Sequence, residues 1–498
     1  MVSDSKREAI MPTGADADLP GARSTRDWGP ALRRLAARFP PHIVFLLVGG
    51  ANAILLAFLT PPFQVHDEFQ HFFRSYQLSE ASIWGSVRDG LAGGIIPSSL
   101  PEFVKRTWGT LEIWHVPPLG THPLAETWRE FEQPLAPWRR QFAEFITVDY
   151  SPLLYLPQTF GIAVGRLFGA SPLALLYFGR VANAATAVVV IAWSLRVLPM
   201  GRATALAIAL LPMAQFEYGS VAPDATIIAS AFLLTAVALR ANLCKAWSRT
   251  DILIAAVAAG IICSKVVYAP LLAIGIPAML RFEKSALSRK TVTHPLSAHL
   301  LIAVFALGLT ALWLASTSST IASLMPPTAA SAARKAAIFG EPLRFAAMLI
   351  EDMRSHLLRY IEESVGIFGA WTVYLPGYVF ALAVISLTLS CTLAGENDPR
   401  LNTVATIWNL CLIASVVVLI QTTFFVMNTD RVQFWEVPGV QGRYFLPLGA
   451  LAAATLVSIK GGPRYHPNTA LGYTLLIAII VFDTVSMDVT IARGFHLF

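Results

Sequence analysis

A chain of 498 residues with 55% hydrophobic and 14% charged residues and a mean hydropathy of +0.58 lies outside the soluble range, where about a quarter of residues are charged. Its net charge of +6 comes from Lys and Arg at the ends of apolar runs rather than in one stripe, which marks membrane topology and argues against a nucleic-acid partner. Cys244, Cys263, Cys391 and Cys411 lie in or beside apolar runs without CxxC spacing, so neither a disulfide framework nor a zinc site is indicated.

Residues 1–40 are polar, rich in Gly and Pro, and end in Arg33, Arg34 and Arg38 before the apolar run 43–59. They are expected to form a disordered cytoplasmic tail, with 41–498 as the transmembrane domain. The mixed stretch 61–171 cannot cross a bilayer and is expected to be a large outer loop, its short apolar part 152–168 lying at the interface. Runs at 173–195, 203–216, 225–239 and 252–280, the last broken by Ser264-Lys265 into two short spans, then alternate across the membrane. They place the basic segment 281–297 inside. Runs at 298–316, 373–393, 402–427, 444–459 and 469–487 complete the set, with further outer loops at 317–372 and Asp430–Arg443. The expected fold is all-α: a polytopic transmembrane bundle of about 11 spans (range about 10–13) with the C-terminus outside.

The chemistry gathers where spans meet the outer face. After the first span comes Pro61-Pro62-Phe63-Gln64-Val65-His66-Asp67-Glu68-Phe69-Gln70-His71-Phe72-Phe73-Arg74. The prolines end the helix, and on a new helix Asp67 and His71 share a face, with Arg74 one turn on. A carboxylate there can take a proton from a sugar hydroxyl, and a histidine can tune it or help hold a metal. The spacing His66 to His71 is i, i+5 and does not make the HExxH of a zinc protease. Asp224 is either a second site acid or the N-cap of a helix from Ala225. Lys265, among apolar neighbours, and Arg443, starting a span from outside, suit an anionic ligand. Tyr155 could contact a glycan, and Arg180 and Asn183 could pair with loop carboxylates or with substrate. The charges from Arg334 to Glu363 read as a solvated amphipathic helix pair.

Taken in order, Pro-x-x-x-x-Asp-Glu-x-x-His-x-x-Arg, Tyr-Ser-Pro-x-x-Tyr-x-Pro at 150–157, Arg-x-x-Asn at 180–183, Ser-x-x-Pro-Asp at 220–224, Ser-Lys-x-x-Tyr at 264–268 and Gln-Gly-Arg-Tyr at 441–444 resemble the bacterial family called domain of unknown function 2142. The resemblance runs from about 43 to 487. That family is itself similar to the C-type glycosyltransferase superfamily, which includes protein mannosyltransferases and aminoarabinose transferases.

The resemblance implies GT-C-like outer loops and an inverting transferase that moves a sugar from a polyprenyl-phosphate donor to a glycan or lipid-linked acceptor. The setting would be the periplasmic face of the bacterial inner membrane, in contact with membrane lipids. Asp67, Glu68 and His71 are the expected catalytic residues, with the choice of base between Asp67 and Glu68 open. Asp224, Lys265, Arg443, Tyr444, Arg74, Arg180 and Tyr155 are the expected substrate-binding residues. The resemblance fixes no cofactor; a divalent metal, Mg or Mn, is left open, with Asp67, His71 and Asp224 as its ligands if one is used. The alternatives are a transporter or flippase of lipid-linked glycans, or a structural subunit of a polysaccharide export assembly.

Overall fold

The computed structural model describes residues 38–108, 128–244, 247–279, 295–324, 328–369, 372–393, 399–427, 434–459 and 469–495. The expected N-terminal tail up to residue 37, most of the basic segment 281–297 and Asp430 lie outside them.

Among the described residues, six helices are long and apolar enough to cross a membrane. They are α1 (Pro41–Leu59), α5 (Pro172–Val197), α8 (Asp224–Leu243), α10 (Pro295–Ser316), α15 (Thr403–Met427) and α17 (Thr469–Gly494). Their apolar character is uniform rather than one-sided, as expected of segments whose surroundings are apolar on every side. Burial ranks them: 83% of the α8 window is enclosed by other protein, against 17% for the window in Leu296–Ser316. α8 is therefore the hub of the bundle, and α10 lies at its edge.

The expected count of about eleven rested on apolar runs, and several of those runs are broken by proline and glycine. The 203–216 run forms α6 (Arg202–Ala209) and α7 (Pro212–Tyr218). Leu211, before Pro212, turns extended because the proline ring excludes the helical conformation at that position. The 252–280 run makes α9 (Arg249–Cys263), opened by a capping box between Ser248 and Asp251, then a 3-10 helix over Val266–Ala273 and a four-residue turn. Neither piece is among the helices long and apolar enough to cross a membrane. The 444–459 run is a 3-10 helix, Gly442–Leu448, with Pro447 inside it, followed by α16 (Gly449–Leu456). The 373–393 run yields α14 (Gly377–Thr392), of 16 residues.

The segment between α1 and α5 departs from the all-α expectation. α2 (Glu68–Ser79) and α3 (Ser99–Trp108) pack against a three-stranded antiparallel sheet of β1 (Ser86–Arg88), β2 (Leu91–Pro97) and β3 (Arg140–Glu144). Arg88 pairs with Leu91, so Asp89-Gly90 is a two-residue hairpin turn with positive φ at both positions, the conformation that matches strand twist. Phe69, Phe72, Phe73, Phe103 and Phe145 join Ile162 and Leu173 in a second apolar core beneath this sheet. α11 (Ser318–Leu324) and α12 (Ala329–Gly340) precede α13 (Pro342–Gly366), a long amphipathic helix followed by the short ribbon of β4 (Ile367–Phe368) and β5 (Val373–Tyr374).

The 152–168 stretch becomes a 3-10 turn and α4 (Leu156–Leu167), too short to cross and laid against α5. The two helices meet at Gly161, where an added Cβ would lie 2.2 Å from the Phe178 carbonyl oxygen and 2.7 Å from Ala182. Gly161→Ala should therefore lower stability by about 1–3 kcal/mol, the usual range for overpacking. Gly308→Ala, with nothing near the new methyl, should be neutral or slightly stabilising. Thermal unfolding of the two variants in one detergent checks this, and equal midpoints would contradict it.

Candidate functional site

The site begins where α1 stops. Pro61 and Pro62 cannot continue a helix, and the chain turns back through Phe63 and Asp67, both at positive φ, before α2 starts at Glu68. Asp67 thus precedes the helix instead of sharing a face with His71 inside it. The turn is held by a buried ion pair. Glu68 accepts hydrogen bonds from Arg180 Nε at 2.8 Å and Nη2 at 2.5 Å, and from the backbone N–H groups of Phe63 at 3.0 Å and Val221 at 3.3 Å. Arg180, on α5, also donates to the carbonyls of Ala57, Thr60 and Pro61, the unpaired end of the first span. Neither side chain is exposed. Of the adjacent acids, Glu68 is therefore committed to architecture, and Arg180 is committed with it.

Asp67 is left at the edge of a second cluster. Among the described residues, no hydrogen bond or ion pair occupies its carboxylate. Burial raises its pKa above the ordinary carboxylate value; Arg443 and Lys265 oppose that rise, and Asp224 adds to it. Asp224 does not cap α8. It is the first residue of the helix, and its carboxylate accepts from Lys265 Nζ at 3.1 Å. Arg443 pairs with Glu217 at the end of α7, at 3.0 Å. Both cations lie over the Tyr444 ring, Lys265 at 6.0 Å and Arg443 at 5.4 Å. Tyr268 fixes that residue by donating to its backbone carbonyl at 2.8 Å.

Arg443 reaches this position through its neighbours. Glu363 on α13 accepts from the Gly442 backbone N–H at 2.8 Å, and Ser364 donates to the Gly442 carbonyl at 2.9 Å. A Cβ at 442 would stand 2.0 Å from the Tyr360 carbonyl oxygen, so only glycine allows this approach. Among the described residues, the Arg443 Nε is buried with no hydrogen-bond partner, as is Glu217 Oε2. The Ser220–Asp224 turn is carried by Asn183, which donates to the carbonyls of Ser220 and Ala222, and by Gln158, which donates to those of Val221 and Ala222.

His71 and Tyr155 share a hydrogen bond of 2.8 Å, and burial lowers the His71 pKa to about 3. The imidazole is therefore neutral in the working pH range. His66 is lowered to about 3 for the same reason, helped by Arg443. Arg74 faces away from this cluster: it donates to Gln77 and to the Tyr150 carbonyl and lies over Trp313. Asp67, His71 and Asp224 were the expected ligands of a divalent metal. Among the described residues no three His, Cys, Asp or Glu side chains are arranged to hold one, so no step is assigned to a metal.

The structure thus brings Asp67, Asp224, Lys265, Arg443, Tyr444 and His71 to one locus where α2, α8 and the 442–448 turn converge, and adds Glu217, Glu363 and Gln158. Glu217 stands seven residues before Asp224, and its separation from the first span hid its pairing with Arg443. The uniformly apolar long helices and this charged locus at their ends define a polytopic helical membrane protein. The chain belongs to the DUF2142 family, whose model, described as a predicted membrane protein, matches residues 52–452. No curated protein and no solved structure matches it.

If the Glu68–Arg180 pair holds the turn, removing one partner strands a buried charge and should cost about 3–5 kcal/mol. Glu68→Gln and Arg180→Met should each lower the unfolding midpoint sharply, and the double variant should recover part of the loss. Additive losses in the double variant would show that the two side chains act independently.

Proposed function

We propose that the protein is a membrane glycosyltransferase that moves a sugar from a polyprenyl-phosphate donor to a glycan acceptor, with Asp67 as the base. The observation that supports this best is the inequality among four neighbouring acids. Glu68, Glu217 and Asp224 each have a cationic partner, whereas the Asp67 carboxylate has none among the described residues. A half-buried carboxylate without a partner among the described residues, its pKa raised, is poised to accept a proton.

In the proposed reaction the acceptor hydroxyl attacks the anomeric carbon while Asp67 takes its proton. The bond from that carbon to the phosphate oxygen breaks, and the lipid phosphate leaves with the electron pair. Displacement from the opposite face inverts the configuration. Lys265 and Arg443 would receive the phosphate: the ammonium spends one donor on Asp224, and the guanidinium retains the unpartnered Nε. Neutral His71, held by Tyr155, would position the acceptor without competing for its proton. Tyr444 would steady both cations.

In this reading the site faces the periplasm in a bacterial inner membrane, and the broken α6–α7, α9 and 442–456 segments complete the crossings toward about eleven. Labelling of Ser82 but not of Ser285 from the periplasmic side is the expected result for single-cysteine variants at these positions. The opposite pattern would invert the topology.

Asp67→Asn keeps the shape but removes the proton acceptor. Donor binding should persist while turnover falls by about two to four orders of magnitude, the usual range for general acid–base catalysis. Because only ionised Asp67 can act, the native rate should fall as pH drops through its raised pKa, so the acid limb should lie above the ordinary value of about 3.9. Purified protein with polyprenyl-phosphate sugars and glycan acceptors gives the rates. Equal product from native protein and Asp67→Asn would remove Asp67 from the mechanism. Movement of the lipid-linked sugar across the membrane with no glycosidic bond formed would favour a transporter.

A further inference from the structure

A cleft of about 640 Å³ lies apart from the Asp67 cluster, between α13 and the segment 435–440. Its floor is one stripe of α13, in which Arg344, Met348, Asp352, His356 and Arg359 recur at helical spacing. The stripe holds an ordered group. Asp352 is buried, and its Oδ2 accepts from the Tyr360 hydroxyl at 2.9 Å and from Gln421 Nε2 at 2.8 Å. Its Oδ1 accepts from His356 Nδ1 at 3.0 Å. A carboxylate fixed from two sides thus sets the orientation of a half-exposed imidazole. With Nδ1 bearing the hydrogen, the neutral ring carries its lone pair on Nε2, away from Asp352.

We propose that this cleft is the acceptor site and takes a neutral saccharide, with His356 Nε2 accepting a hydrogen bond from a sugar hydroxyl. The proposal rests on the transferase reading for its biological role, but three separate observations carry it. First, the cleft adjoins the small cavity at the candidate site along two continuous pieces of chain. Tyr360 lines the cleft and Glu363, one turn on, lines the small cavity beside His66 and Arg443; Val440 and Gln441 are divided in the same way. Second, the lining carries no excess of cations: two arginines, Arg344 and Arg359, stand among three acids, Glu351, Asp352 and Glu436. A site for a phosphate or a polyanion would carry an excess of cations. Third, the lining sets dense donors and acceptors beside the rings of Trp435 and Tyr360, which suits a ligand that is polar around its edge and carries no negative charge.

The test uses full-length protein in nanodiscs and a panel of neutral tri- to hexasaccharides, with binding read by saturation-transfer NMR and calorimetry. Native protein and Asp67→Asn should bind the same oligosaccharide equally. His356→Ala should weaken binding by about tenfold, and His356→Gln, which restores an acceptor, should recover part of it. Absence of binding by every neutral oligosaccharide, equal affinity in His356→Ala, or preference for an anionic oligosaccharide would overturn the proposal. Saccharide binding that depends on His356 in a protein that forms no glycosidic bond would sink the transferase reading while leaving the site. Product formation indifferent to His356 would do the reverse.

Discussion

The Glu68–Arg180 pair is the constraint on which the rest of the candidate site depends. A guanidinium enclosed by protein near the end of a membrane helix is costly to desolvate, and here every contact it makes repays that cost locally. It neutralises Glu68, satisfies three carbonyls at the end of α1, and so fixes the angle at which the chain leaves the first span. Through Val221, Glu68 also ties this turn to the one that opens α8. Asp67 and Asp224 owe their proximity to these shared bonds, although 157 positions separate them in the sequence.

A second constraint acts from the other end of the chain. Glu363 and the close passage of Gly442 beneath α13 deliver Arg443 to the same locus, where Glu217 waits for it. The locus is therefore assembled from four distant stretches of sequence, each anchored by a buried polar contact. Such contacts are strong in a medium of low dielectric, and leaving any one unmade is expensive. Of the three carboxylates in this cluster, Asp224 and Glu217 each hold one of the two cations until a ligand arrives. In the proposed mechanism the donor phosphate competes for donors that Lys265 and Arg443 have not spent, and Asp67 remains as the acid with no partner to lose.

Much of this was legible in the sequence, and the parts that were not have physical causes. Hydropathy located the apolar runs, because transfer of some twenty residues into lipid dominates any local preference. It miscounted intact helices at Pro212, Pro270 and Pro447, where a missing N–H outweighs propensity. The Asp89-Gly90 hairpin carried a strong turn signal, obscured by the expectation of an all-α fold. Asp67, Asp224, Lys265, Arg443 and Tyr444 were found as charged or aromatic residues at span ends, and the structure brings them together. Whether Asp67 or Glu68 was free could not be read from adjacency. That depended on where Arg180 reached, and a long side chain on a helix more than a hundred residues away leaves no local trace. Glu217 was hidden for the same reason, with its partner Arg443 far along the chain. Asp352 looked like one more charge on a solvated helix, whereas it is buried beneath Tyr360 and Gln421.

The central claim is that a lipid-linked sugar seats its phosphate between Lys265 and Arg443 with its anomeric carbon toward Asp67. A high-resolution cryo-EM map of the full-length protein in nanodiscs, prepared with a non-hydrolysable polyprenyl-phosphonate sugar, tests it most directly. The account predicts phosphonate density within hydrogen-bond distance of Lys265 Nζ and the Arg443 guanidinium, with the sugar lying between them and the Asp67 carboxylate. Phosphonate density bound elsewhere, with Asp224–Lys265 and Glu217–Arg443 intact and no sugar near Asp67, would contradict it.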